Sequence, residues 1–214
     1  MNMQITSAHL VKMFDAIATA LSTDKDRLCA LDGVIGDADH GIAMELGFNA
    51  IRAALAGADV SSSEPAAIFN LAAKSFLNAV GASSGPLYAT ALMRAGSVIK
   101  GKQQLDKADI IAIIQAMAKG IHERGKAEPG EKTMIDAWHP ASEAIGIANA
   151  EGKNLAQCLQ AALVSASAGA EATKTMIATK GRSARLGERS LGHMDPGAAS
   201  TVTIIAAIKS ALTD

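Results

Sequence analysis

Aromatic residues are scarce in this chain. One tryptophan, one tyrosine and four phenylalanines amount to 3% of 214 residues. The core must therefore be assembled from Leu, Ile, Met and Ala. Cysteine is nearly absent: Cys29 and Cys158 lie far apart and outside any CxxC pattern. That argues against a disulfide framework or a cysteine zinc site and favours a reducing compartment. An excess of charge of either sign is missing too. The net charge is −1 with no basic stripe, which argues against nucleic acid as a partner. No apolar run reaches the ~18 residues that a membrane span needs, so no membrane is expected as a partner. Met1-Asn2-Met3-Gln4 has neither a basic n-region nor an apolar h-region, so a cytoplasmic location is the expectation. Strand signals are lacking as well: nothing alternates convincingly at period two, and no tight hairpin turn joins two strand-like runs.

What is present is helical periodicity. Apolar residues make up 49% and charged residues 19%, a globular balance. The length suits one domain, 1–214. Leu10, Met13, Phe14, Ile17 and Leu21 form an apolar stripe behind Ser7, a candidate N-cap. Asp24-Lys25-Asp26 breaks that pattern, and a short helical turn through Leu28 and Cys29 follows. Helices are then expected from Asp39 to Leu55, from Glu64-Pro65 to about Ala79, and from about Leu87 to Ile99. Further helices are expected over 107–125, over 133–150 with Pro140 as an interruption, and from Leu155 to about Ala178. Ile110-Ile111-Ala112-Ile113-Ile114 resembles a strand by propensity, but its spacing continues helically to Ile121. A last helix follows Asp195-Pro196-Gly197. The fold class is all-α: about eight amphipathic helices in antiparallel, up-and-down succession.

The connections are of two kinds. Those near Gly57, Gly101 and Gly152 are ordinary polar turns. The other four are rich in glycine and chemically unusual: residues 31–41, 81–86, 125–132 and 180–197. Each is separated from the next by two helices, so up-and-down succession puts all four at one end of the bundle. The last looks like a loop without regular structure, a kind that is usually functional or disordered.

The first of these loops, Leu31-Asp32-Gly33-Val34-Ile35-Gly36-Asp37-Ala38-Asp39-His40-Gly41, packs three carboxylates and an imidazole into eleven residues. Carboxylates this close repel one another unless a cation sits between them, and a hard divalent ion takes oxygen ligands. Asp32, Asp37 and Asp39 are the candidate magnesium ligands. Asp39 as a plain N-cap and Asp37 as a turn residue is the rival reading, but capping needs one carboxylate, not three. The spacing does not fit an EF-hand. His40, beside the aspartates at a helix start, is a candidate phosphate contact. His9, His122, His139 and His193 have no comparable setting and read as structural.

Ser83 and Ser84 would donate to phosphate oxygens. Lys180, Arg182, Arg185 and Arg189 would supply positive charge, as a ligand lid or as a solvated face. The amides of Gly197 and Ala198 are placed for an anion. The segment Gly125 to Thr133 resembles a Walker A loop with one residue too many. Glu131 intervenes and a helix precedes it, so the P-loop reading is rejected.

Four motifs in order then carry a resemblance. They are Gly36-Asp37-Ala38-Asp39-His40-Gly41, Gly81-Ala82-Ser83-Ser84-Gly85-Pro86, Gly130-Glu131-Lys132-Thr133-Met134, and Gly187-Glu188-Arg189-Ser190 through Gly192-His193-Met194-Asp195-Pro196-Gly197. Together they resemble the nucleotide-binding L subunit of dihydroxyacetone kinase, over nearly the whole chain. The resemblance implies a barrel of eight antiparallel helices with the nucleotide at one end. It implies ADP or ATP bound through two magnesium ions on Asp32, Asp37 and Asp39. It places phosphate contacts on His40, Gly41, Ser83 and Ser84, with Ile42 and Ala43 continuing that first turn. It maps the rest of the pocket onto Gly125, Met134, Arg182, Asp195, Pro196 and Gly197. Ala38 departs from the family, which commonly has glycine there, and its Cβ is expected to narrow the loop.

The resemblance also implies a separate K subunit that holds the ketone. The phosphoryl donor is then either ATP or a phosphohistidine protein of the phosphotransferase system that recharges bound ADP. A homodimer is admitted. No residue stands out as a general base, which suits activation of the substrate on the partner. Two rivals remain: a similar domain serving another acceptor, such as a four-carbon ketose or a fatty acid, and a non-catalytic regulatory subunit that docks a transcription factor or transporter.

Overall fold

The computed structural model describes residues 4–59, 63–81 and 83–213. Residues 1–3 of the N-terminal stretch, residues 60–62 of the connection after Gly57, Ala82 of the second glycine loop and Asp214 lie outside them. The described residues contain eight α-helices: α1 Ser7–Ile35, α2 His40–Ala56, α3 Pro65–Ala79, α4 Ser84–Val98, α5 Lys107–Gly125, α6 Ile135–Ala150, α7 Leu155–Ala172 and α8 Pro196–Thr213. Each helix packs on the next, and α8 returns to pack on α1, closing the ring. The ring closes because every helix has an apolar stripe to bury and short connections hold neighbours antiparallel. The only extended pairing among the described residues is a single antiparallel bridge, in which Ile5 and Leu105 exchange backbone hydrogen bonds of 2.8 Å.

The core is aliphatic, as the composition requires. Its few rings meet edge to face inside the barrel, Phe14 on Phe69 at 5.5 Å and Phe48 on Phe76 at 5.3 Å between centroids. Small residues let helices approach closely. A Cβ at Gly169 of α7 would collide with the Asp136 carbonyl of α6, so glycine is required at that crossing.

Several helix boundaries differ from the sequence expectation. α1 does not break at Asp24-Lys25-Asp26. Those charges lie along the helix surface, where Asp24 takes both hydrogen bonds of the Arg27 guanidinium at 2.6 Å and Lys25 pairs with Glu45 at 3.1 Å. No Gly or Pro follows Asp26 until Gly33, and the helix runs on to Ile35 with Gly36 as its C-cap. Thr6, not Ser7, is the N-cap of α1: its amide donates to His9 Nδ1 at 3.2 Å, which makes His9 a capping residue. α4 begins three residues early, at Ser84, and α6 runs on through Pro140. α7 stops at Ala172 rather than near Ala178. The following segment is not structureless: it holds 3₁₀ turns at Thr173–Thr175 and Ser183–Ser190, the second broken at Gly187 with φ 54°.

Candidate nucleotide and metal site

The parity of the connections holds in three dimensions. The four glycine-rich segments line one cavity of about 740 Å³ at one end of the barrel. His40, Ser84, Ile135 and Pro196, the first residues of α2, α4, α6 and α8, all face it. Four helix N-termini therefore converge on one space, each carrying a positive partial charge and amides not used within the helix. At the opposite end, Asp106 and Asn154 cap α5 and α7 by accepting from the Asp109 and Gln157 amides at 3.0 and 2.9 Å. At the cavity end, the N-cap side chains of α2, α4 and α6 make no cap hydrogen bond.

Asp32, Asp37 and Asp39 converge so that one carboxylate oxygen from each lies within 4.8 Å of the others. Asp32 is not in a loop. It sits buried in the last turn of α1, and its Oδ2 accepts the backbone N–H groups of Asp39 at 2.9 Å and His40 at 3.2 Å. Asp32 thus does the capping that Asp39, the N-cap by position, does not do, and the exposed carboxylate of Asp39 takes no part in it. Three such charges repel by the order of kcal/mol per pair in a partly solvated setting. The Arg182 guanidinium answers them, paired with Asp37 and 3.5 Å from Asp39. An all-oxygen, triply anionic set of this size fits a hard divalent cation such as magnesium.

Ala38 lies between Asp37 and Asp39 with φ 64°, a left-handed backbone that favours glycine. Its departure from the family motif is thus a matter of backbone strain. The other left-handed non-glycine residues among those described, Lys126 and Lys132, belong to the third loop.

His40 is buried, and its Nε2 is 2.9 Å from Ser200 Oγ of α8. Burial pushes its imidazole down to about 4, against a smaller upward pull from Asp32, so it is neutral at pH 7. Ile42 and Ala43 line the cavity, whereas Gly41 is set back from it. A Cβ on Gly41 would collide with the Lys25 carbonyl and Cys29 Sγ, so this glycine lets α2 start tight against α1. Gly81, Ser83, Ser84, Gly125, Met134, Lys180, Arg182, Asp195, Pro196 and Gly197 are all in the lining; Arg185 and Arg189 are not. Asp195 is buried at the start of α8, where its Oδ2 accepts from the Ala198 amide at 2.8 Å. Burial raises its carboxyl to about 7; the Ala198 amide and Lys132 oppose the rise, and Asp136 adds to it.

The sequence reading passed over Leu46, Leu87, Arg124 and Lys132, which also line the cavity. Leu46 follows Ile42 by one helical turn, a spacing visible in the sequence. Both are about half exposed (52% and 54%), an apolar wall beside the acidic loop. Lys132 was visible in the rejected P-loop and in the third motif of the resemblance, but with no role assigned to it.

Comparison with known proteins agrees with this geometry. The family profile described as the DAK2 domain matches residues 34–210. The chain is 36% identical over 200 residues to the ADP-binding subunit DhaL of the PEP-dependent dihydroxyacetone kinase of Escherichia coli, covering 94% of each chain. It is 37% identical over 182 residues to the ADP-binding subunit DhaL of the PTS-dependent enzyme of Lactococcus lactis, covering 85% of each. Its fold is similar to that of the C. freundii dihydroxyacetone kinase solved in complex with AMP-PNP and Mg2+, with a TM-score of 0.71 and 26% identity. That match covers 98% of this chain and 35% of the C. freundii chain. An acidic triad, a ring of helix N-termini and near full-length similarity to the DhaL subunits lead to one placement: the chain belongs to the DAK2-domain family.

Proposed function

We propose that this chain is the nucleotide-binding subunit of a dihydroxyacetone-type kinase and passes a phosphoryl group to a small ketose held by a separate K subunit. The observation that carries the proposal is the convergence of four helix N-termini and three carboxylates on one cavity. Helix N-termini draw phosphate oxygens, and the carboxylates hold the cation that a polyphosphate requires. Asp32, Asp37 and Asp39 would hold magnesium, two ions by the family pattern, which would supply positive charge to the transferred group.

The protein's own residues bind and orient. Asp32, Asp37 and Asp39 supply the anionic ligands. His40, Ser83 and Ser84 offer amides and side-chain donors to the phosphates, and Gly41 seats the start of α2 against α1. Arg182 contributes a permanent charge from the 3₁₀ segment. Ile42, Leu46 and Leu87 present an apolar face suited to a nucleobase, and Gly125, Met134, Asp195, Pro196 and Gly197 complete the wall. No general base is assigned, because deprotonation of the ketose hydroxyl belongs to the partner that holds it. The similarity to both PEP- and PTS-dependent subunits supports bound ADP recharged by a phosphohistidine protein over free exchange of ATP.

The test has two parts. Calorimetry with Mg-ADP should show binding by the wild type and a loss of about tenfold or more with Asp37→Ala, the cost of one charged ligand. Equal binding by the two proteins refutes the metal assignment. Mixing the protein with a dihydroxyacetone-binding K subunit and a phosphohistidine donor should then yield dihydroxyacetone phosphate. Turnover only with a four-carbon ketose moves the acceptor, and no turnover with any partner refutes the kinase reading.

A further inference from the structure

Lys132 is a charged side chain with 1% exposure. Its backbone is left-handed, with φ 60°, a conformation that disfavours any residue with a Cβ. Such strain persists where the surroundings demand that residue. The surroundings here are two backbone carbonyls. Lys132 Nζ donates to Thr173 O at 2.6 Å and to His193 O at 2.5 Å. Those carbonyls stand at the two ends of the segment that carries Lys180 and Arg182 over the cavity. The neighbouring residue holds the same segment from outside: Thr179 donates through its amide to the Glu131 carbonyl at 3.3 Å and through its hydroxyl to Glu131 Oε1 at 3.0 Å. Within the segment, Ser190 Oγ accepts from the Ala178 amide at 3.0 Å and donates to Gly187 O at 2.7 Å. Burial pushes the Lys132 ammonium below its usual value, against a smaller upward pull from Asp195 and Asp136. Two of its three N–H donors are committed to carbonyls, which separates it from a phosphate-gripping P-loop lysine.

We propose that Lys132 is a positioning residue: its ammonium ties both ends of segment 173–193 to the third loop, and so sets where Arg182 stands over the phosphates and how long nucleotide is retained. This rests on the nucleotide reading above. The amine does not need to touch the ligand; it closes the base of the lid, and the lid meets the ligand. Replacing it leaves two carbonyls without their charged partner, which loosens the segment.

The experiment uses the full chain as wild type, Lys132→Met and Lys132→Gln. Trypsin cleavage at Arg182, Arg185 and Arg189, release of Mg-ADP and far-ultraviolet helicity are measured on each. Helicity should stay at the wild-type value. With Lys132→Met, lid cleavage without nucleotide and Mg-ADP release should each rise about tenfold or more, as loss of charge-assisted bonds implies. Lys132→Gln, which keeps amide donors, should fall between. Faster release with unchanged lid cleavage overturns the proposal, because the lysine then contacts phosphate directly. Loss of helicity in both variants also overturns it, because the lysine then supports the whole barrel. If the wild type binds no Mg-ADP, the nucleotide reading fails by itself, and lid cleavage without nucleotide still decides whether Lys132 holds the segment.

Discussion

Oδ2 of Asp32 accepts the backbone N–H of Asp39 at 2.9 Å, so one carboxylate of the acidic triad caps the helix that carries another. Under the metal assignment proposed above, folding and ligation share a residue here: removing Asp32 costs both, whereas removing Asp37 costs a ligand and an exposed pair with Arg182. Asp32→Ala should lower stability by about 1–2 kcal/mol, the usual worth of an N-cap carboxylate. Asp37→Ala, at an exposed position, should change stability by less than about 0.5 kcal/mol. Thermal melting of the two variants without nucleotide checks this split, and equal losses refute it.

Ala38 holds its left-handed backbone at the cost of a Cβ clash, roughly 1–2 kcal/mol. Ala38→Gly removes that cost and adds back some unfolded-chain entropy, roughly 0.4–1 kcal/mol. The net expectation is a stabilisation of about 0.5–1 kcal/mol, read by calorimetric melting. A lower melting point means that the Ala38 side chain, packed toward Gly33, contributes more than its backbone costs.

The Asp195 carboxyl, raised by burial from 3.8 to about 7, gives stability a particular pH dependence. Between those values the folded protein holds a proton that the unfolded chain has released. This group's contribution is therefore full below pH 4 and is lost as pH rises to about 7, by an amount of order 4 kcal/mol. Asp195→Asn can still accept from the Ala198 amide but cannot ionise. The stability difference between variant and wild type should grow in the variant's favour from pH 4 to pH 7, measured by urea unfolding at several pH values. A difference independent of pH refutes the assignment.

The helices were legible because their apolar residues recur at three and four, and because Glu64-Pro65 and Asp195-Pro196-Gly197 are start signals of local origin. The end of α1 was not legible. Asp24-Lys25-Asp26 looks like a break when its partners are unknown; Arg27 lies one turn on, and Glu45 is reached only through the packing of α2 on α1. The 180–197 segment was read as a loop because 3₁₀ turns repeat too briefly to leave a periodic trace. Lys132 was set aside for a sound local reason, since the P-loop spacing fails. Its real partners are the carbonyls of Thr173 and His193, 41 and 61 residues away.

The sequence by itself therefore determined the all-α class, the acidic triad as a cation candidate and, through the parity of its loops, the end of the barrel where the glycine-rich segments meet around one cavity. Periodicity, residue type and chain order carry that information without any knowledge of contacts. Only the tertiary structure decided that Asp32 and not Asp39 caps α2, that Gly41 serves packing between helices, that Arg182 lies among the carboxylates and that Lys132 reaches the carbonyls of Thr173 and His193. Each of those depends on which distant backbone group stands within about 3 Å of a side chain, the range in which a hydrogen bond forms. No local pattern of residues encodes that distance.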